Sequence, residues 1–241
     1  MLENTGATRQ YDNFLLSRLS DDEFQTLRHY FELVHLSPKE VIYEQGASIQ
    51  FVYFPVGCAL SVLAFLRSGA AVEVATIGNE GCSGIDLMLG GEVAGNTYVC
   101  QIAGDCLRIR ASDFREIIQR NAALRSITQS FLRAYLSQIS QSVACNRLHT
   151  IEERFARWLL ITHDRTKGDS FYLTQEFMAD MLGVHRPSVS IVAATYQQAG
   201  IIRYLRGQMT ILDRSALEGA SCECYQAVAS QFNQLLGIKR G

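Results

Sequence analysis

The segment Leu173–Ile202, LTQEFMADMLGVHRPSVSIVAATYQQAGII, decides how the rest of the chain is read. Thr174 offers a side-chain oxygen for a helix N-cap, and Leu173 and Met178 flank it at the spacing of a hydrophobic staple. Met178, Ala179 and Leu182 keep helical spacing up to Gly183, which takes the positive φ of a sharp turn without a Cβ penalty. A second helix follows, with Val189 and Val192 on its buried face, Val184 filling the corner and Gly200 ending it. Two helices joined in this way make a helix-turn-helix. The second helix is then expected to present His185, Arg186, Pro187, Ser188, Ser190 and Ile191 to the major groove of DNA. Thr174 and Gln175, opening the first helix, complete the expected DNA face. Arg186 is the expected base reader, because a guanidinium can pair with guanine O6 and N7 together. Pro187 costs nothing in a first helical turn, where its missing N–H would have no partner.

Directly after this unit, Ile201–Tyr204 and Gln208–Leu212 alternate around Leu205-Arg206-Gly207, the pattern of a tight hairpin. A hairpin placed there is a wing, and its Arg203 and Arg206 are expected near backbone phosphates, where they add affinity without sequence information.

The chain has 241 residues and a formal net charge of −2, so no global basicity points to nucleic acid. The local balance does: residues 147–212 carry eight Lys/Arg against six Asp/Glu, whereas residues 1–146 carry eleven against fifteen. Residues 1–20 show no signal-peptide pattern, and the apolar run 52–66 is too short to span a bilayer and contains Pro55 and Gly57. A cytoplasmic protein without a membrane segment is expected. Its seven cysteines include no C-x-x-C pair; Cys222 and Cys224 are read as lying on different sides of a helix, so no metal ligands and no cofactor are expected.

Working outward, residues 13–19 and 21–31 read as two short helices, the second opened by Ser20 and Asp21-Asp22-Glu23. From Val34 onward, short β-like pieces punctuated by Gly and Pro (41–43, 52–55, 60–66, 71–77, 98–102) predict a roll of strands. The Gly-rich segment 78–84 then feeds a short helix at 85–89. Helical pattern resumes at Ala111, with Ser112 as the expected cap of 113–119 and Asn121 as the cap of a long helix to about Asn146. That helix carries two apolar stripes. Leu124, Ile127, Phe131 and Tyr135 face the roll; Leu132, Leu136, Ile139 and Val143 are expected to meet a second copy of the chain. Thr150-Ile151-Glu152-Glu153 is a capping box that opens another helix, which makes Cys145–His149 the expected hinge. Asp213 or Ser215 caps a short helix, and residues 224–236 form the last one. The fold class is α+β: a sensor roll with N-terminal helices over 1–120, a dimerisation helix and hinge over 121–146, and a winged helix-turn-helix domain with the C-terminal helix over 147–241.

This order of elements resembles the Crp/Fnr family of bacterial transcription regulators over nearly the whole chain. The segments that carry the resemblance include Tyr53-Phe54-Pro55, Val72–Thr76, Ala144–His149, Glu152–Leu160, Leu173–Phe177, Thr210–Arg214 and Cys222-Glu223-Cys224-Tyr225. It implies a cyclic-nucleotide-binding-like roll and a homodimer on a palindromic double-stranded DNA operator. RNA polymerase is the further partner implied, and no enzymatic activity is. The resemblance also locates an effector pocket at Gly81, Gly84, Ile85, Asp86, Asn96, Thr97, Ile139 and Ser140. Members that respond to cyclic AMP hold the ribose with a Gly-Glu pair and the phosphate with an Arg-Ser pair. Here Ile85-Asp86 follows Gly84, Asn96-Thr97 stands at the Arg-Ser position, and Ile139-Ser140 replaces the Thr-Ser pair on the adenine. Without the Arg, nothing offsets the burial of a phosphate, so a different, unidentified effector is expected, or a roll without one. Oxygen-sensing members use an N-terminal cysteine cluster, and residues 1–57 hold no cysteine. A haem would need a His or Cys facing the roll, which offers only Cys58, Cys82, Cys100 and Cys106.

Overall fold

The computed structural model describes residues 12–238. Seven strands build the roll: β1 (Glu32–Leu36), β2 (Val41–Tyr43), β3 (Phe51–Pro55), β4 (Ala59–Phe65), β5 (Ala71–Ile77), β6 (Thr97–Ile102) and β7 (Gly104–Arg110). They pair antiparallel in two sheets, ordered β1-β7-β3 and β2-β6-β4-β5. The strand β7 lies at the centre of the first sheet although its sequence gave no clear alternation. Asp105, Arg108 and Arg110 break the pattern, and only Cys106 and Ile109 are fully buried.

Helix α1 (Asp21–Leu27) opens on a complete Ser20/Glu23 capping box, and the chain then tightens to a 3-10 turn over Arg28–Tyr30 instead of continuing to Phe31. The helix expected over 13–19 is also absent: only Leu16–Arg18 form a 3-10 turn. The cause is Asn13, fully buried, whose amide donates to the carbonyls of Pro55 (2.8 Å) and Gly81 (2.9 Å) while its oxygen accepts from Leu15 N–H. That side chain fastens the segment to the roll and competes with local helix formation.

The short α2 (Ile85–Met88) and α3 (Ala111–Arg120) lead to α4 (Ala122–Leu148). Ser112 does not cap α3, which starts two residues earlier than expected, with Arg110 at the N-cap and no side-chain cap. Asn121 does cap α4, accepting from Leu124 N–H at 2.8 Å. Leu124, Phe131 and Tyr135 are buried against the roll, whereas Leu136 is 51% and Val143 67% exposed, with Leu132 and Ile139 partly buried. The helix runs unbroken past Cys145, and the chain breaks only at His149, extended at φ −104°, ψ 153°.

The Thr150/Glu153 box then opens α5 (Ile151–His163). After it come β8 (Ser170–Tyr172), α6 (Gln175–Leu182), α7 (Arg186–Gln198), β9 (Ile202–Leu205) and β10 (Gln208–Ile211). The sheet here has three strands, ordered β8-β10-β9; β8 is three residues with only Phe171 buried, too short to show an alternating pattern. Finally α8 (Arg214–Ala220) is capped by Asp213, and α9 (Cys224–Leu236) turns back along the molecule. Although it follows the two-helix unit and its hairpin in sequence, α9 sends Val228, Phe232 and Leu236 into the same buried cluster as the roll. No helix among the described residues is long and apolar enough to cross a membrane.

Candidate nucleic-acid interface

The two-helix unit forms as its sequence requires. Thr174 accepts from Phe177 N–H at 3.2 Å to start α6, and Leu173 and Met178 are buried together. Gly183, at φ +63°, ends the helix in the left-handed conformation that a Cβ disfavours. Val189, Val192, Ala193 and Tyr196 then bury one side of α7 against Phe155, Leu159 and Met178. Burial of that side leaves His185, Arg186, Pro187 and Ile191 exposed on the other, with Ser188 partly exposed. Ile191 is 67% exposed on that outer face.

Ser190 and Gln175 are differently placed from a free base contact. The Ser190 hydroxyl is 2.8 Å from Gln175 Oε1, to which it donates, and 3.2 Å from the Arg186 carbonyl. The pair therefore bridges α6 to α7 and fixes their crossing. Tyr204 reinforces the same corner, its hydroxyl donating to the Leu173 carbonyl and its N–H to Gln197 Oε1.

Arg206 and Gly207, at φ +51° and +86°, form the two-residue turn of the wing, a geometry matched to the twist of a hairpin. Arg203 and Arg206 are both exposed. Tyr172 of β8 packs over Gly207 so closely that a Cβ there would fall 2.5 Å from its ring.

Polar contacts missed in the sequence reading connect this unit to the roll. Arg165, after α5, is buried with Glu80 of the roll, its Nε and Nη2 lying 3.1 and 2.6 Å from Glu80 Oε1. Trp158 Nε1 donates to Glu73 Oε1 on β5 at 2.9 Å, and Gln101 Nε2 donates to Thr162 at 2.8 Å. Burial pushes the Glu73 carboxyl above the usual carboxylate range, partly offset by hydrogen bonds from Ser61, Thr76 and Trp158. Leu63 of β4 enters the apolar cluster of the two-helix unit, and Val72 of β5 lies against Gly183 itself. The β4–β5 hairpin thus touches the turn between the two helices.

Several positions of the expected effector pocket are packed against their neighbours. Gly81 is buried so tightly against Phe131 that a Cβ would stand 2.2 Å from the ring, and Gly84 packs on Val52. Tyr43 and Tyr98 stack edge to face at 4.9 Å, Tyr98 meets Tyr135 of α4, and Tyr43 reaches Ser83 at 2.6 Å. Burial raises the Tyr135 phenol to about 12 and also holds the Tyr98 phenol well above its ordinary value. Ile85 is buried and Asp86 partly so; Asn96 donates to the Leu63 carbonyl and Thr97 accepts from Gln45 N–H. Ile139 is partly buried, while Ser140 is exposed and bonds back to the Leu136 carbonyl. A cleft of about 480 Å³ opens elsewhere, lined by residues that include Met88, Arg115, Arg125, Gln129 and Leu132.

One sequence expectation is overturned at the joint between the two halves. Cys222 and Cys224 do not diverge, because Cys222 lies ahead of α9 and not within it. Both thiols meet Cys145 and His149, and the four donor atoms lie within 4.8 Å of one another.

Two family models match the chain: a cyclic nucleotide-binding domain over residues 33–121 and a Crp-like helix-turn-helix domain over 153–220. No curated protein sequence matches it significantly. Among solved structures, FixK2 from Bradyrhizobium japonicum is similar at TM-score 0.68 and 17% identity, covering 80% of this chain and 98% of its own. A CRP-family transcriptional regulator from Thermus thermophilus gives TM-score 0.64 at 18% identity, over 86% of this chain and 98% of that one. The c-di-GMP-responsive global regulator CLP of Xanthomonas campestris gives 0.61 at 10% identity, over 78% and 97%. With a nucleotide-binding-type roll, a long connecting helix and a Crp-like helix-turn-helix in that order, the chain belongs to the Crp/Fnr family of transcription regulators.

Proposed function

We propose that the protein is a cytoplasmic homodimer that reads a palindromic operator through α7 and works by binding, without catalysis, in concert with RNA polymerase. The observation that carries this reading is the single outward face made by His185, Arg186, Pro187 and Ile191, with the wing arginines 203 and 206 exposed on the same unit. Arg186 is the base reader; Arg203 and Arg206 hold phosphates. Leu132, Leu136, Ile139 and Val143 form the contact between copies, supported by the exposure of Leu136 and Val143 on a helix whose other side is buried. A partner copy supplies the second reading helix for the second half-site.

The roll acts as a sensor whose signal is not a cyclic mononucleotide. Tyr43, Tyr98 and Tyr135 occupy its interior, and no guanidinium stands at Asn96-Thr97 to offset a buried phosphate. The β4–β5 hairpin is the route by which a change in the roll would reach the turn at Gly183. The test is DNA binding by fluorescence anisotropy with and without cyclic AMP or cyclic GMP, beside thermal unfolding under the same conditions. Neither nucleotide is expected to change affinity or midpoint, since a ligand that selects one state must stabilise it. A saturable rise in the midpoint with either would overturn the effector reading while leaving the DNA-binding reading intact.

A further inference from the structure

Cys145 and His149 stand one helical turn apart at the end of α4, and His149 is the residue at which that helix breaks. Cys224 opens α9 and Cys222 lies just ahead of it, both brought back by the packing of Val228 and Phe232 along the roll and α4. The three thiols are buried together, with Cys145 Sγ 3.6 Å from Cys222 Sγ and Cys224 Sγ 3.5 Å from His149 Nδ1. A tetrahedral zinc ion with ordinary bond lengths has edges of about 3.8 Å between sulfurs and about 3.5 Å between sulfur and nitrogen. The Cys145–Cys222 and Cys224–His149 separations match two of its six edges, and a spread of 4.8 Å at most is too small for ligands placed around an iron–sulfur cluster.

We propose that Cys145, His149, Cys222 and Cys224 form a Cys3His zinc site that pins the last helix to the joint between the roll and the DNA-binding unit. The surroundings are those that such a site requires. His149 turns Nε2 to Glu223 Oε2 at 3.1 Å, which leaves Nδ1 for the metal and orients the ring, the usual arrangement of a metal-bound histidine. Gln141 Nε2 donates to Cys224 Sγ at 3.0 Å. Three thiolates and a neutral imidazole around a divalent ion leave a net charge of −1. Arg154 and Arg157 on α5 are near enough to interact electrostatically with Cys145 and offset it. Binding displaces a proton from each of three thiols, so the site fills more readily as pH rises. Its position gives it a mechanical role: both ends of the clamp sit beside His149-Thr150, where α4 stops and α5 begins. Metal occupancy therefore fixes the angle at which the reading helices are carried.

The test is metal analysis of the full-length protein purified under reducing conditions without chelator, followed by cobalt titration of the protein stripped of metal. One zinc per chain is expected. Cobalt should give tetrahedral d–d bands with thiolate charge transfer and be displaced by zinc. Cys222→Ser and His149→Ala should lose stoichiometric metal, and Cys58→Ala, a buried thiol elsewhere in the roll, should retain it. Glu223→Ala keeps all four ligands and should weaken zinc by about 10-fold, the lower end for an outer-shell partner. The wild-type titration needs no variant to fold. A reduced protein that isolates without zinc and gives no tetrahedral cobalt spectrum would overturn the proposal, as would a Cys145–Cys222 disulfide that on reduction still yields no metal site. These readouts are independent of whether the protein reads an operator.

Discussion

At the level of single residues, the outward position of Arg186 carries a sharp consequence. Arg186→Ala removes a base contact of about 1–3 kcal/mol from each half-site, so sequence preference should collapse while the folded state is unchanged. Anisotropy with matched specific and random duplexes measures this. Arg206→Ala should instead weaken binding to every sequence and flatten the dependence of affinity on salt. Inside the molecule, Glu80 and Arg165 form an ion pair with side chains 0% and 1% exposed. Glu80→Gln removes the carboxylate that pairs directly with the buried guanidinium and should destabilise the protein by about 3–5 kcal/mol in denaturant unfolding. Gly81→Ala should also destabilise, by about 1–3 kcal/mol, because Phe131 occupies the space of the new methyl group. Residue roles were only partly legible in the sequence. Arg186 and Ile191 stand where helical spacing put them, but Ser190 is engaged by Gln175, a partner that no spacing rule supplies.

At the level of elements, the helix starts were the most legible feature, because caps are local. Ser20 with Glu23, Thr150 with Glu153, Thr174 and Asp213 each cap the helix their sequence announces. Strands β7 and β8 were not legible, since each is held by neighbours distant in sequence and buries too few residues to alternate. The convergence of Cys145 and His149 with Cys222 and Cys224 was hidden for the same reason: it depends on α9 returning to α4, more than seventy residues away from Cys145. The exposed stripe of α4 yields a prediction at this scale. Leu136→Glu combined with Ile139→Glu should produce a folded monomer that no longer binds operator DNA, because charge buried at a subunit contact costs several kcal/mol. Sedimentation equilibrium distinguishes this from an unchanged dimer, which would assign the stripe another role.

At the level of the whole molecule, a tyrosine-filled roll is joined to the DNA-binding unit by a buried ion pair, the β4–β5 hairpin and a cysteine-histidine cluster at the joint. The roll therefore meets the turn between α6 and α7 through packed side chains. The central claim is that two copies of α7 read DNA together, and it is tested most directly by selecting bound sequences from a randomised duplex pool. Wild-type protein should enrich two-fold symmetric sites whose half-sites lie about one helical turn apart, roughly 10 base pairs or a multiple of it. The Arg186→Ala protein should lose the enrichment at a guanine position in both half-sites together. Enrichment of asymmetric single sites by the wild type, or an unchanged motif from the variant, would contradict the account.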